Sequence, residues 1–283
     1  MSTQVIISTY ERADHLLKCI QALRAQTIKD FDIIVADDGG NDETYEYIKN
    51  MDLTYVRQPH RGFGLAKLRN KGMRVLGIHD INIFIDSDIL LNPKAIESYI
   101  NIYRRNPNRA IGGYYKYLPG MRFTVGDVSR RWDDVWNERF EKEYIPSNVA
   151  QPDVRVCWWE MGRLGENVFL DEDKLNPHPF MLLGGNLMIP GHILKQVEWD
   201  EGFTMYGGED GEMSVQIAEL GYSFSYSERV AGAHQAHSKN KNATADGEAR
   251  CIQYIAQKHP RFFVNGEPAW DKPNFKWPER RYD

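Results

Sequence analysis

"VIISTYERADHLLKCIQALRAQ" (residues 5–26), followed by "FDIIVADDGGND" (31–42), changes its hydrophobic period twice, and those changes decide the fold. "VIIST" (5–9) is a β-branched run of the kind that fills a strand covered on both faces. Ala13, Leu16, Leu17, Ile20 and Leu23 then fall on one helical stripe. "FDIIVA" (31–36) reads as a second buried strand, and "DDGGND" as a loop rich in turn residues. The alternation continues outward. A short helix is expected from about Asp42, a third strand in "LTYVRQ" (53–58), a helix in "GLAKLRNKGMRVLG" (64–77) and a fourth strand in "INIFID" (81–86). "KAIESYINIYRR" (94–105) reads as a helix, with Asn92 as its expected N-cap and Pro93 in its first turn. Strands alternating with helices predict an α/β chain, with a Rossmann-like, mostly parallel central sheet and helices on both faces. Ligands of such sheets bind beyond the carboxyl ends of the strands. The loops after Ile7, Ala36 and Ile85 are therefore expected on one edge.

Residues 117–180 break this pattern. They are rich in aromatics and charge, as in "RRWDDVWNERFEKEY" and "CWWEMG", and predict an insertion of one or two helices and loops over the sheet edge. The pattern returns with "MLLGGNLMIP" (181–190), read as a strand holding a glycine pair, and a short helix in "GHILKQV". "GEDGEMSVQIAELG" reads as a helix with Met213, Ile217 and Leu220 on its apolar face and Gly221 ending it. "YSFSYS" alternates as a strand, "RVAGAHQAH" continues as strand edge or loop, and a last helix is expected from about Asp246 to Lys258. The tail 259–283 carries proline and aromatics and is expected to drape over the domain. One domain over 1–283 is the simplest division, with halves at 1–116 and 181–258 separated by the insertion.

A formal net charge of −5 argues against a nucleic-acid partner, which demands a basic face. Cys19, Cys157 and Cys251 are odd in number and widely spaced, so they form neither a disulfide framework nor a zinc motif. The N-terminal residues enter a strand without a charged leader, and no apolar run approaches the length of a membrane span. The expectation is a cytoplasmic protein without a transmembrane segment.

Chemistry concentrates in four acidic stretches and one pair of imidazoles. Asp37 and Asp38, Asp86 and Asp88, Glu209 with Asp210, and Glu212 supply carboxylates; His234 and His237 follow late in the chain. In "FIDSDILLNP" (84–93) two acids one residue apart close a buried run, and on a strand they would share a face. Solvent, a basic partner or a divalent cation would each satisfy that pair. Hard oxygen ligands with imidazole suit Mn²⁺ or Mg²⁺, manganese tolerating the nitrogen better.

These segments carry a resemblance. "VIISTYERADHLLKCIQALRAQ…FDIIVADDGGND", "GLAKLRNKG" and "FIDSDILLNP" are similar to the family 2 glycosyltransferases, which have the GT-A fold and a DxD segment. "LLGGNLMIPGHILKQVEWDEGFTMYGGEDGEMSVQIAELGYSF" (182–224) resembles the C-terminal half shared by β-1,4-galactosyltransferases, polypeptide N-acetylgalactosaminyltransferases and chondroitin-polymerase-type enzymes. The match covers about 4–116 and 181–238, in order. It implies a GT-A domain with an acceptor-side insertion that moves a hexose or N-acetylhexosamine from a UDP-sugar to an acceptor hydroxyl.

The resemblance also implies roles. Asp88, with Asp86 near the ribose or the metal, and His234 or His237 would hold the cation, His237 being slightly preferred because residues three apart on an extended edge need a bend to converge. Thr9, Glu11, Asp37, Asp38 and Ser87 would line the nucleotide, with Asp37 or Asp38 accepting from the uracil N3–H. Arg69 would reach the diphosphate or stabilise the aspartates. Gly184, Gly185 and Asn186 would line the donor sugar. Asp210 is the implied base, with Glu209 orienting acceptor or donor, and a single displacement inverts configuration. Tyr206 stands where the related enzymes carry tryptophan, and Trp158 and Trp159 are further candidates for stacking on sugars. A glycan, lipid-linked sugar, peptide or modified nucleobase would serve as acceptor, with association at a membrane surface as one arrangement. Two alternatives are a sugar nucleotidyltransferase, whose triphosphate loop would want the glycines "STYERADH" lacks, and a non-catalytic binding protein on the same fold.

Overall fold

The computed structural model describes residues 1–40, 42–118, 123–137, 182, 184–237, 245–265, 267–269 and 274. Its centre is an eight-stranded sheet. The opening alternation gives β1 (Thr3–Thr9), α1 (Ala13–Arg24), β2 (Asp32–Asp37), α2 (Asp42–Ile48), β3 (Thr54–Arg57), α3 (Leu65–Val75) and β4 (Ile81–Asp86). β1 pairs in parallel with β2 and β4, and β2 with β3. Val5 and Ile7 enter the apolar cluster on one face and Ile6 the cluster on the other, as a strand buried on both sides requires. α1, α2 and α4 (Ala95–Arg105) cover the first face. α3 covers the second, together with α7 (Gly191–Leu194), α8 (Glu209–Glu219) and α9 (Ala245–Lys258).

The second half of the sheet is mixed. β5 (Ile89–Leu91), β6 (Arg109–Tyr117), β7 (Asn186–Pro190) and β8 (Ser223–His234) complete the order β3-β2-β1-β4-β7-β6-β8-β5. β7 is antiparallel to both neighbours and β5 antiparallel to β8, whereas β6 and β8 are parallel. Two strands were not expected. β5 is only three residues long, and β6 carries a glycine pair that masks its alternation. The glycines before β7 lie outside the strand, which starts at Asn186. The N-cap of α4 falls two residues later than expected, at Lys94, because Asn92 Oδ1 accepts from Lys94 N at 2.9 Å and so closes the turn before the helix rather than capping it.

Of the insertion, α5 (Val125–Arg130) and α6 (Trp132–Trp136) are described. Val128 and Val135 pack with Leu90 of β5 and Ala233 of β8, over the sheet edge as expected. Trp158 and Trp159 fall outside the described residues, as does Cys157. Cys19 and Cys251 are buried in their helices. After α9 the chain makes a short 3-10 turn (Pro260–Phe262) and a two-stranded ribbon of β9 (Phe263–Val264) and β10 (Glu267–Pro268). Among the described residues, no helix is long and apolar enough to cross a membrane.

Candidate active site

β1, β2 and β4 end in register at one edge of the sheet: Thr9 lies beside Asp37 and Ser8 beside Asp86. The edge carries two charge clusters, one on either side of the Asp86–Asp88 turn. They differ in chemistry.

The first is built around Arg69. α3 sends this guanidinium into the core, where it is 1% exposed and lies 4.5 Å from the centroid of the buried Trp199 ring. Its nitrogens reach Asp210 Oδ1 at 2.6 Å, Asp86 Oδ1 at 3.4 Å and Glu209 Oε1 at 3.4 Å. Burial works against the charged guanidinium, but Asp210, Asp86 and Glu209 outweigh it and raise its pKa. Arg69 thus contacts both aspartates and Glu209. Asp210 Oδ2 also accepts from the Gly184 N–H at 2.8 Å. A Cβ at Gly184 would stand 2.4 Å from both Arg69 Cζ and Asp210 Oδ1, so the site requires glycine there.

Glu209 and Asp210 open α8, and the chain reaches them through Gly207 and Gly208 with φ of 90° and 92°, a conformation that favours glycine. Glu209 is 4% exposed, and burial and then the adjacent Asp210 push its pKa up to about 8 despite Arg69. Its Oε2 has no hydrogen-bond partner among the described residues. Asp86, whose side chain is 38% exposed, is raised by desolvation and by Asp88 and Asp210, with Arg69 opposing.

The second cluster gathers around Asp88. Its Oδ2 lies 3.0 Å from Arg12 Nη1 and 3.1 Å from His237 Nε2, and its Oδ1 is 3.7 Å from His234 Nε2. Burial would raise the Asp88 pKa, but His237, His234 and Arg12 reverse the effect and lower it to about 2. Burial depresses His234, with Asp88 opposing. One donor atom from each of Asp88, His234 and His237 lies within 4.8 Å of the others, a spacing at which a cation can be shared. The bend required for residues three apart is present: β8 ends at His234, and Gln235 N donates to Asp88 O at 2.8 Å. Both histidines therefore face the aspartate. Asp86, expected in the metal shell beside Asp88, is not part of this group. The strand stops at Asp86 and the chain turns before Asp88, so the two carboxylates do not share a face; Arg69 takes one and the histidines the other.

The remaining expected residues divide by depth. Thr9 and Ser87 are buried at the strand ends, and Glu11 is exposed in the loop after β1 with φ of 50°. Asp38, 8% exposed, accepts from Gln58 Nε2 at 2.5 Å and lies 3.0 Å from His60 Nδ1. Tyr10 stacks on that imidazole with ring centroids 4.3 Å apart. Asp37 is wholly buried and engaged by Tyr55 Oη at 2.6 Å and Gly40 N at 2.9 Å. Gly185 O accepts from Asp86 N at 3.2 Å. Asn186 is wholly buried: its Oδ1 accepts from Tyr99 Oη at 2.8 Å and its Nδ2 donates to Val230 O. It acts behind the site, and Gly113 leaves it room, since a Cβ there would meet Asn186 Nδ2 at 2.0 Å. Sequence reasoning missed Arg12 and Trp199. A charged residue after the first strand and a tryptophan in "EWDEGF" carry no periodic signal, although both touch the central charges.

The chain is 30% identical over 276 residues to chondroitin synthase of Escherichia coli, covering 93% of this chain and 39% of that protein. It is 26% identical over 268 residues to validoxylamine A glucosyltransferase of Streptomyces hygroscopicus subsp. jinggangensis (strain 5008), covering 90% of this chain and 60% of the relative. The chain thus spans between about two fifths and three fifths of these relatives. The crystal structure of S. aureus TarS 1–349 in complex with UDP superposes with a TM-score of 0.60 at 14% identity, covering 91% of this chain and 65% of that one. This likeness shows the GT-A fold. Glycosyl transferase family 2 matches residues 4–157, more than half of the chain. With that match across the strands that end at the site, the chain belongs to glycosyl transferase family 2.

Proposed function

We propose that this chain is a metal-dependent glycosyltransferase that moves a hexose or N-acetylhexosamine from a UDP-sugar to an acceptor hydroxyl, inverting by direct displacement. The observation that carries the reading is the pair of clusters at one sheet edge. A two-imidazole, one-carboxylate donor set lies beside a carboxylate held by Arg69 at the start of α8. The family membership and the UDP and UDP-GlcNAc complexes of the TarS neighbour support the donor class.

Asp88, His234 and His237 fit Mn²⁺ better than Mg²⁺, since manganese tolerates imidazole nitrogen beside carboxylate oxygen whereas magnesium prefers oxygen alone. Bound there, the ion supplies positive charge for a diphosphate leaving group. Arg12 beside Asp88 adds a fixed cation. Asp210 serves as the base, oriented by Arg69 and by the Gly184 N–H. Glu209, whose pKa is raised by burial and by Asp210, orients the acceptor or the donor sugar. The missing side chain of Gly184 leaves space for Arg69 and Asp210 to meet beside the donor sugar. Thr9, Glu11, Asp38 and Ser87 border the nucleoside, with Asp37 fixing the loop behind them. The residues form one catalytic domain, and its acceptor is a glycan, a lipid-linked sugar or a peptide.

A UDP-release assay over a panel of UDP-sugars with Mn²⁺ tests this. Slow hydrolysis of one sugar, abolished by EDTA and by Asp88→Ala, is the expected result. Failure to bind any uridine nucleotide would sink the donor assignment.

A further inference from the structure

The outer face of α3 borders a groove that runs along the helix from Asp38, at the nucleoside end of the proposed donor site. While Arg69 points inward, Lys67, Lys71 and Arg74 point outward along the same helix, where they are exposed. They line one wall of this groove of about 880 Å³, between the loop carrying Arg61 and Phe63 and the loop carrying Phe203. That volume suits a ligand of several rings.

Charge on this wall is uneven. Arg74 pairs with Glu198 and lies 4.0 Å from Glu201, which balances it. Arg61 and Lys67 have no ion pair among the described residues, and the Lys71 ammonium donates to the Arg57 carbonyl, which leaves its charge uncompensated. Arg61, Lys67 and Lys71 therefore leave the groove positive although Asp38 and Glu201 also line it, in a chain of net charge −5. Lys67 and Lys71 are one helical turn apart, about 6 Å, so they present repeated rather than single charge.

The groove surface between these cations is mostly apolar, with Phe63 and Phe203 contributing rings. Bare phosphate chains gain nothing from such a surface, whereas the C–H faces of sugar rings do. At one end Phe63 meets Tyr206 edge-on, with centroids 5.6 Å apart. Tyr206 is 46% exposed and stands three residues before Glu209. The groove thus leads toward the catalytic acids of α8.

We propose that the α3 groove binds a carboxylate-bearing glycan, the trailing part of an anionic acceptor whose leading end lies at Tyr206. Calling the glycan an acceptor rests on the transferase reading; the binding itself does not. The carboxylates pair with Arg61, Lys67 and Lys71, and ring faces lie on Phe63 and Phe203.

The test is calorimetric titration with hyaluronan hexasaccharide, with neutral chitohexaose and with inorganic polyphosphate, on the wild type and on the double variant Lys67→Glu, Lys71→Glu. Both positions are exposed and lie outside the catalytic clusters, and UDP binding, measured on the same preparations, should be equal in the two proteins. The expected result is that hyaluronan hexasaccharide binds more tightly than chitohexaose, and that charge reversal or raised salt weakens it by about tenfold or more. Equal affinity of wild type and variant for hyaluronan hexasaccharide overturns the proposal. So does equal affinity for the neutral glycan, or polyphosphate binding as tightly as the glycan, which would mark a bare charge sink. Absence of UDP binding with charge-dependent glycan binding intact would overturn the transferase reading and leave the groove assignment standing.

Discussion

Gly184 has no side chain because there is no room for one. A Cβ at this position would press on the Arg69 guanidinium and the Asp210 carboxylate, and Arg69 is itself enclosed by Trp199 and three acids. Gly184→Ala should therefore destabilise the protein by about 1–3 kcal/mol through overpacking. With Asp210 as the proposed base, it should also reduce UDP release roughly hundredfold, because a displacement on the order of 1 Å of a catalytic group costs that much. Thermal unfolding and the UDP-release assay on one preparation check both effects. At the second cluster, His234 and His237 face the same carboxylate, so each histidine should matter. His234→Ala and His237→Ala are each expected to weaken Mn²⁺ binding by at least about tenfold, the scale on which even outer-shell partners act. Calorimetric titration of Mn²⁺ reads this directly, and unchanged affinity in either variant would remove that histidine from the ligand set.

At the scale of elements, the helix that carries the proposed base is anchored by its own buried charge. Glu212 of α8 is wholly buried and lies 2.8 Å from Lys258 and 3.0 Å from His259 at the end of α9. Glu219, the last residue of α8, reaches His259 Nδ1 at 2.9 Å. Burial alone would lower the His259 pKa, but Glu212 and Glu219 raise it to about 9 from an ordinary 6.5. The folded state then binds a proton that the unfolded chain has released. This stabilisation is fully present below pH 6.5 and is lost as pH rises through 9. It amounts to on the order of 2–3 kcal/mol. The melting temperature should fall between neutral pH and about pH 9.5. His259→Gln should melt lower at neutral pH and lose most of that slope. An unaltered slope in the variant would mean that other groups set it.

Across the whole molecule, the proposed metal ligands come from opposite halves of the chain. Asp88 follows β4, His234 ends β8 and His237 lies just beyond it, so an ion there would tie the first half of the sheet to the second. A ligand that binds only the folded state stabilises by mass action, about 2.7 kcal/mol at a hundredfold excess over Kd. Mn²⁺ should therefore raise the melting temperature in a concentration-dependent way, EDTA should reverse it, and Asp88→Ala should abolish it. A melting temperature indifferent to Mn²⁺ in the wild type would argue that the three residues hold no ion. A single cooperative transition in the same scans would support one domain spanning both halves.

The sequence alone determined the four parallel strands, the helices between them and the sheet edge at which Thr9, Asp37 and Asp86 end, because hydrophobic period is a local property. It also marked most of the charged residues of the site by type and order. Tertiary structure decided what local pattern cannot encode. β5 and β6 carry too short or too glycine-rich a signal, and the antiparallel direction of β7 depends on partners distant in sequence. The placement of Arg69 among three carboxylates, and of Arg12 beside Asp88, follows from packing elements separated by up to 141 residues. The turn after β4 sent Asp86 and Asp88 to different partners, although their spacing in an uninterrupted strand would have put them on one face. Residue identity supplied the chemistry; the folded backbone decided which charges meet.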